Sequence, residues 1–561
     1  MKSNRIVAVV LAATVILAAT YTGCSEKVPK SKTTEGLDKE QYLNVVLGAE
    51  PKTLDPSKAA DLYSSQVLTE VIEGLTRIEE DKSGKNIVRA AGAEKWTISE
   101  DGLTWTFKLR NYLWSDGQKV KASDFEYGIK RTLDPKTASS YAFLLAPIKG
   151  ARAFNSKKVT EDQVGVKALD DNTLEIKLEG PCPYFLQLTY FKVMYPQRKD
   201  IVEKYGDKYG TEGNTFVFCG PFILKEWAHQ DKVELLKNDK YWDEKAVKLS
   251  KVTMKIIKEE NLGMNQLLSG SLDTSVVNKQ EWVQKLDEAK RFNVITGYEP
   301  TTVFNFFNQK DKLFSNIKVR KAFSLAINRE DIAKSLYRNL AKPAYGWCPP
   351  KLQIGTEEFR KKANFEPVKK LAEEYKDPRV LLIDGLRELA MEQDPSKVTI
   401  KLLQSGTNTR AKEVTDYMKE AYEKNLGVKV VVECIEWPVF QKRIDNMDYQ
   451  IAGMAWSGDY DDPMTEFDIF MSDANMIPTG WVNKNYDDLI RKAQSTTDNN
   501  VRFQAFKDCE KILLYDDVVV TPIVYRMRNT YTAKYVKGIM SPLFGSGTEL
   551  KYAYTEGRTS K

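Results

Sequence analysis

Between residues 398 and 435 the chain reads as apolar strand, amphipathic helix and apolar strand, and this order constrains the fold more than any other stretch of the 561 residues. Val398 to Leu403 has the composition of a strand. Thr407 to Thr409 can cap a helix that carries Ala411, Val414, Met418, Ala421 and Tyr422 on one face, and Gly427 follows as its C-cap. Val428 to Ile435 is a second, continuously apolar strand. Strands joined in this way pair in parallel through a right-handed crossover. The region is therefore α/β, and ligands of such sheets bind beyond the carboxyl ends of the strands. Here the second strand runs into Glu436-Trp437.

Strand and helix signals also alternate earlier. Tyr42 to Leu47 reads as a strand stopped at Glu50-Pro51. Asp61 to Ile72 places Leu62, Val67, Leu68, Val71 and Ile72 at helical spacing. Trp105, Phe107 and Leu109 alternate with polar residues as in a half-buried strand. Ser123 can cap a helix from Asp124 to about Thr132, which Asp134-Pro135 ends. Lys+Arg is 84 and Asp+Glu is 78, and no basic block stands apart from its acids, which disfavours nucleic acid as a partner. A single histidine, His229, excludes His-rich metal sites and leaves one candidate for a Ser-His or Cys-His pair. Its place between two strand-like segments reads as a hairpin tip. No phosphate-binding loop occurs, and Gly545-Ser546-Gly547 has Leu550 where a dinucleotide fingerprint needs its third glycine. Nothing in the chain calls for a cofactor or a catalytic group.

The N-terminus reads as a targeting segment. Lys2 and Arg5 precede an apolar run from Ile6 to Thr20, too short to span a bilayer but of signal-sequence length. Thr22-Gly23-Cys24 resembles a bacterial lipobox, with Tyr21 where an aliphatic residue is usual. An ordinary cleaved signal with a chance cysteine, or an uncleaved anchor, is the alternative. The expectation is a signal over residues 1–23, lipidation at Cys24 and a polar tether over 24–41, holding the protein at the extracytoplasmic face of the cell membrane. Cys182, Cys219, Cys348, Cys434 and Cys509 are too widely spaced for a metal or redox motif, and read as buried thiols with room for one disulfide.

The turn Trp456-Ser457-Gly458-Asp459-Tyr460-Asp461-Asp462-Pro463 has three readings: a solvated acidic turn, a calcium loop, or a site for an ammonium group with Trp456 and Tyr460 beside the acid. The EF-hand order fails at Pro463 and Met464.

From Trp96-Thr97-Ile98-Ser99-Glu100-Asp101-Gly102-Leu103-Thr104-Trp105 through Trp114-Ser115-Asp116-Gly117 to Ala122-Ser123-Asp124-Phe125, the sequence resembles the bacterial solute-binding proteins of peptide and nickel ABC importers, family 5. Glu50-Pro51-Lys52-Thr53-Leu54-Asp55-Pro56, Pro181-Cys182-Pro183-Tyr184-Phe185, Gly220-Pro221-Phe222 and Ala326-Ile327-Asn328-Arg329-Glu330 agree in order along the chain. The Trp96–Phe125 block itself reads as architecture, a hairpin core with its turns. The resemblance implies a two-lobed α/β fold of the periplasmic-binding-protein type II, with an inter-lobe cleft. Lobe I would comprise 42–90, 209–304 and 525–555, an extra subdomain 91–208, and lobe II 305–524, with a hinge near 304–306 and 524–526. It further implies a monomer that captures oligopeptides and delivers them to a permease with separate ATPases. An oligosaccharide, a nickel chelate or a peptide pheromone is the alternative ligand. Asp459 matches the position that meets a peptide α-ammonium. Trp437, Trp456, Tyr141 and the Tyr345–Trp347 loop match aromatic positions of the pocket, and Glu50 a pocket-facing one. Gly453 stands where the type oligopeptide binder has an arginine for the peptide carboxylate.

Overall fold

The computed structural model describes residues 36–81, 86–338, 340–474 and 476–558, and the body begins at Leu37. The signal, Cys24 and most of the tether lie outside the described residues. Eleven strands form the principal sheet: β1 (Tyr42–Leu47), β2 (Phe222–Ala228), β3 (Lys232–Lys237), β4 (Lys251–Ile256), β5 (Thr274–Val276), β6 (Phe292–Phe307), β7 (Ala341–Pro343), β8 (Thr399–Ser405), β9 (Lys429–Ile435), β10 (Ile451–Ser457) and β11 (Val520–Ala533). Their order is β9-β8-β10-β6-β11-β5-β1-β4-β3-β2, with β7 also on β11.

The crossover unit read from the sequence is present. β8 and β9 pair in parallel from Thr399 opposite Lys429 to Ser405 opposite Ile435. The helix Thr409–Leu426 between them starts at Asn408, whose side chain accepts from the Ala411 amide, and stops at Gly427 in the left-handed region at φ 79°. Val414, Met418, Tyr422 and Leu426 of this helix join Ile400, Leu402 and Val430 in one apolar core. β10 runs parallel to β8, so the carboxyl ends of β8, β9 and β10 face the same edge.

β6 and β11 tie the sheet together. Thr301 to Phe307 of β6 pair with β10, while Phe292 to Tyr298 pair with the far half of β11, which carries β5 on its other edge. The ladder between them shifts register between Tyr298 and Thr302 and again between Val303 and Phe304. β-Bulges bend and twist a strand pair, so the sheet changes direction where its two halves meet.

A second, four-stranded sheet is built from Ala93–Ile98, Thr104–Leu109, Val166–Asp170 and Thr173–Lys177. It confirms the architectural reading of the Trp96–Phe125 block. Gly102 takes φ 73° in the turn, and Trp114 is buried with its indole donating to Asp124 at 3.0 Å. The following helix begins at Ala122, not after Ser123. The Asp124 carboxylate accepts from the Lys121 amide at 3.0 Å, and this charge-assisted bond fixes the first turn ahead of the serine hydroxyl. His229 lies at the hairpin tip between β2 and β3. The five described cysteines are free thiols. Among the described residues, no helix is long and apolar enough to cross a membrane.

Candidate functional site

The chain leaves the carboxyl end of β10 at Ser457 and turns over residues 458–468. Three bonds lock the turn. The Gly458 amide donates to Pro300 carbonyl at 2.8 Å, the Asp459 amide to Thr465 Oγ1 at 2.9 Å, and the Trp456 indole to Thr465 carbonyl at 3.0 Å. Asp462 pairs with Arg502 at 2.6 Å, both buried. The three aspartates thus diverge: Asp462 turns to Arg502, Asp461 accepts from the Gln353 amide at 3.0 Å, and Asp459 faces elsewhere. This overturns the calcium-loop reading. The solvated reading fails too, because Asp459 and Asp462 are enclosed.

The wall that encloses Asp459 comes from residues 141–192. The Tyr190 hydroxyl donates to the Asp459 carbonyl at 3.3 Å. Gln187 exchanges two bonds with the Asp461 backbone, at 2.8 and 3.3 Å. Tyr184 stacks on Tyr460 with centroids 5.1 Å apart. Tyr141 lies beside the Asp459 carboxyl and offers it a hydrogen bond. Lys192 is buried there as well. Its Nζ donates to Ser65 Oγ at 2.6 Å and sits 4.6 Å from the centroid of the Tyr141 ring.

Burial pushes Asp459 up to about 7, against the opposing pull of the Lys192 charge and the Tyr141 hydroxyl. Burial likewise lowers Lys192, with Asp459 and Asp61 drawing it back. Asp459 Oδ2 has no partner among the described residues. A buried carboxylate oxygen without a donor is costly, and it is an open position for a cation.

A second set of contacts links residues 52–278 to residues 409–441. Lys52 donates to Gln441 at 2.8 Å, Lys258 pairs with Glu436 at 3.2 Å, Thr409 donates to Glu259 at 3.0 Å, and Arg410 donates to the Asn278 carbonyl at 3.1 Å. Glu436 and Trp437 open the helix Trp437–Asp445 beyond β9, at the edge the crossover rule indicates. The Trp437 indole nitrogen is buried without a partner among the described residues, and its ring stacks on Phe440 at 5.8 Å.

The structure does not gather all the sequence-predicted residues in one place. Asp459 and Tyr141 come together, with Trp456 supporting the turn from below. Tyr460 does not flank the Asp459 carboxyl. Its ring is held on Tyr184 and its hydroxyl approaches Asp468 at 3.5 Å, so Tyr141 supplies the aromatic neighbour instead. Trp347 is fully enclosed, edge-on to Phe304 at 4.8 Å and Phe470 at 5.1 Å, with its indole on the Glu466 carbonyl. Tyr345 lies outside this cluster, its hydroxyl on Glu330 at 3.1 Å and its ring under Lys369 at 4.5 Å. Glu50 is occupied by the hairpin tip, accepting from Trp227 Nε1 and the Gln230 amide at 2.8 Å, with His229 Nδ1 also at 2.8 Å. The sequence reading missed Lys192, Ser65, Tyr190 and Glu466. No local motif marks them; Lys192, Ser65 and Tyr190 reach the Asp459 turn only through contacts hundreds of positions apart in the chain, while Glu466 lies seven residues on in the same turn.

Comparison with known proteins agrees with this architecture. Residues 88–477 match the family described as bacterial extracellular solute-binding proteins, family 5 Middle. The dipeptide-binding protein DppE of Bacillus subtilis is 34% identical over 516 residues, covering 92% of each chain. The substrate-binding domain of an oligopeptide ABC transporter from Bacillus anthracis superposes with a TM-score of 0.85 at 35% identity, over 93% of this chain and all of the other. The murein tripeptide binding protein MppA of Escherichia coli superposes at 0.84, with 28% identity over 93% of this chain and all of the other. A structure of MppA in an unliganded open form reaches only 0.60, at the same identity and over 93% and 98% of the two chains. The arrangement described above is therefore nearer the first MppA structure than the open one. The fold is the two-lobed α/β one, and the chain belongs to the family 5 bacterial extracellular solute-binding proteins.

Proposed function

We propose that this protein captures oligopeptides in the cleft between its lobes, with the α-ammonium held at Asp459, and hands them to the permease of an ABC importer. The observation that carries the reading is the buried Asp459 carboxyl, with an oxygen unpartnered among the described residues, just beyond the carboxyl end of a sheet strand and against the segment that carries Tyr190. The relatives named above are peptide binders by description, which supports the ligand class. Peptides share a backbone and differ in side chains. Main-chain bonds to an extended ligand supply affinity, and a charge contact at the amino end fixes register.

The lobes comprise 42–90, 209–304 and 525–555 on one side and 305–524 on the other, with 91–208 as the extra subdomain. The register shifts of β6 and β11 serve as the hinge. Closure enclosing the ligand removes water from the charge pair and strengthens it. Trp437 with its unpartnered indole lines the second contact zone, while Glu50, Tyr345 and Trp347 support the walls rather than touch ligand. The protein acts as a monomer, anchored through lipid on Cys24 outside the cytoplasm, and performs no catalysis. Titration calorimetry of ligand-stripped protein tests the reading: unmodified tri- to pentapeptides bind, and neutral oligosaccharides do not. Saturable sugar binding without peptide binding would overturn it.

A further inference from the structure

Four buried carboxylate oxygens without a hydrogen-bond partner among the described residues fall within one ten-residue turn: Asp459 Oδ2, both Oε atoms of Glu466, and Asp468 Oδ1. Glu466 is completely enclosed and Asp468 nearly so. Burial comes first in raising both of them, and Asp459 is the strongest charged neighbour of each. The charges that reach the group are unevenly shared. Lys192 acts on Asp459 and Arg152 on Asp468, whereas among the described residues the charged neighbours of Glu466 are carboxylates.

Glu466 is not sealed away from the segment that carries Asp459. Its Oε1 lies 3.0 Å from where a Cβ would stand on Gly458, and Phe544 of the opposite lobe lies 3.6 Å from that same point. Glycine at 458 thus lets the Glu466 carboxyl pack against the backbone that precedes Asp459, with Phe544 on the same side. Among the described residues, no group of His, Cys, Asp and Glu converges as a metal site. A carboxyl buried with both oxygens free and only like charges nearby calls for an incoming organic cation, or it stays protonated.

We propose that the amino-end pocket accepts two positive charges, the α-ammonium at Asp459 and the side-chain cation of a Lys or Arg first residue at Glu466. This deepens the peptide reading of the site and rests on it. A first-residue lysine carries both cations on one flexible methylene chain. A cation arriving at Glu466 displaces to solvent the proton that burial holds there, and gains a charge-assisted bond in a water-poor place.

The test is titration calorimetry with three tetrapeptides that differ only in the first residue: lysine, norleucine and glutamate. Norleucine matches the lysine chain without its charge. Lysine-first peptide binds at least about tenfold tighter than norleucine-first, a difference of about 1.4 kcal/mol, and glutamate-first binds weakest. In Glu466→Gln, and in Glu466→Leu as a second variant of similar size, the lysine-to-norleucine ratio collapses to within about twofold. Equal affinity for lysine and norleucine in the native protein, or an advantage that survives both variants, overturns the proposal. N-acetylating each peptide reads the Asp459 contact separately. If acetylation is harmless, the amine reading fails, while the lysine-to-norleucine ratio still decides the role of Glu466.

Discussion

Replacing Asp459 by Asn keeps the size of the side chain and removes the charge that the account assigns to the peptide amine. Asp459 is 7% exposed, so the pair its carboxyl forms with an α-ammonium is desolvated. Truncating one partner of such a pair costs about 2–5 kcal/mol, because the other charge is left buried and unpaired. That corresponds to roughly 30-fold to several-thousand-fold weaker binding at tenfold per 1.4 kcal/mol. N-Acetylating the peptide deletes the partner charge, so calorimetry on the four combinations gives the coupling energy directly. Acetylation then costs much in the native protein and little in the Asn variant. The pH dependence follows from the same carboxyl, raised by burial to about 7. The contact needs an ionised acid and a protonated amine. As pH falls through 7 the acid takes up a proton while the amine stays charged, so affinity drops by about tenfold per unit and about a hundredfold by pH 5. Above about pH 8 the amine loses its proton and affinity falls again. Independent, additive losses from the two modifications would refute the reasoning, because they would show that Asp459 and the amine do not meet.

Asp462→Asn strands the Arg502 guanidinium, which is 1% exposed. Breaking one side of a buried pair costs about 3–5 kcal/mol, so the variant melts several degrees lower in calorimetry; an unchanged melting curve would contradict the pairing. Saturating peptide shrinks the radius of gyration in small-angle scattering of ligand-stripped protein, and identical curves would count against closure about β6 and β11. Cys24→Ala leaves unprocessed or released protein in fractionated cells, and a mature N-terminus mapped elsewhere than Cys24 would rule out the lipid anchor.

What could be read from the sequence divides along a physical line. The crossover of β8, its helix and β9 was legible because local rules govern it: continuous apolar strands, an Asn408 cap and a Gly427 stop. The hairpin around Trp105 was legible for the same reason. The helix at Ala122 was read two residues late, because its first turn depends on an aspartate that Trp114 orients from outside the helix. The site was less legible. Asp459 stood out through its acidic turn and family position, yet the partners that surround it arrive from 141 and 184–192. Tyr460 was read as an ammonium neighbour from adjacency alone, but successive residues of a turn point in different directions, and Tyr184 claimed its ring. Glu466 carries no motif; its significance lies wholly in the donors that its buried oxygens lack.

The most direct test of the central claim is the identity of the ligand the protein carries. Mass spectrometry of small molecules released by denaturing freshly purified protein should find peptides with free amino ends, at a stoichiometry approaching one per chain. A stoichiometric sugar or other solute without an amine, in place of peptides, would contradict the account.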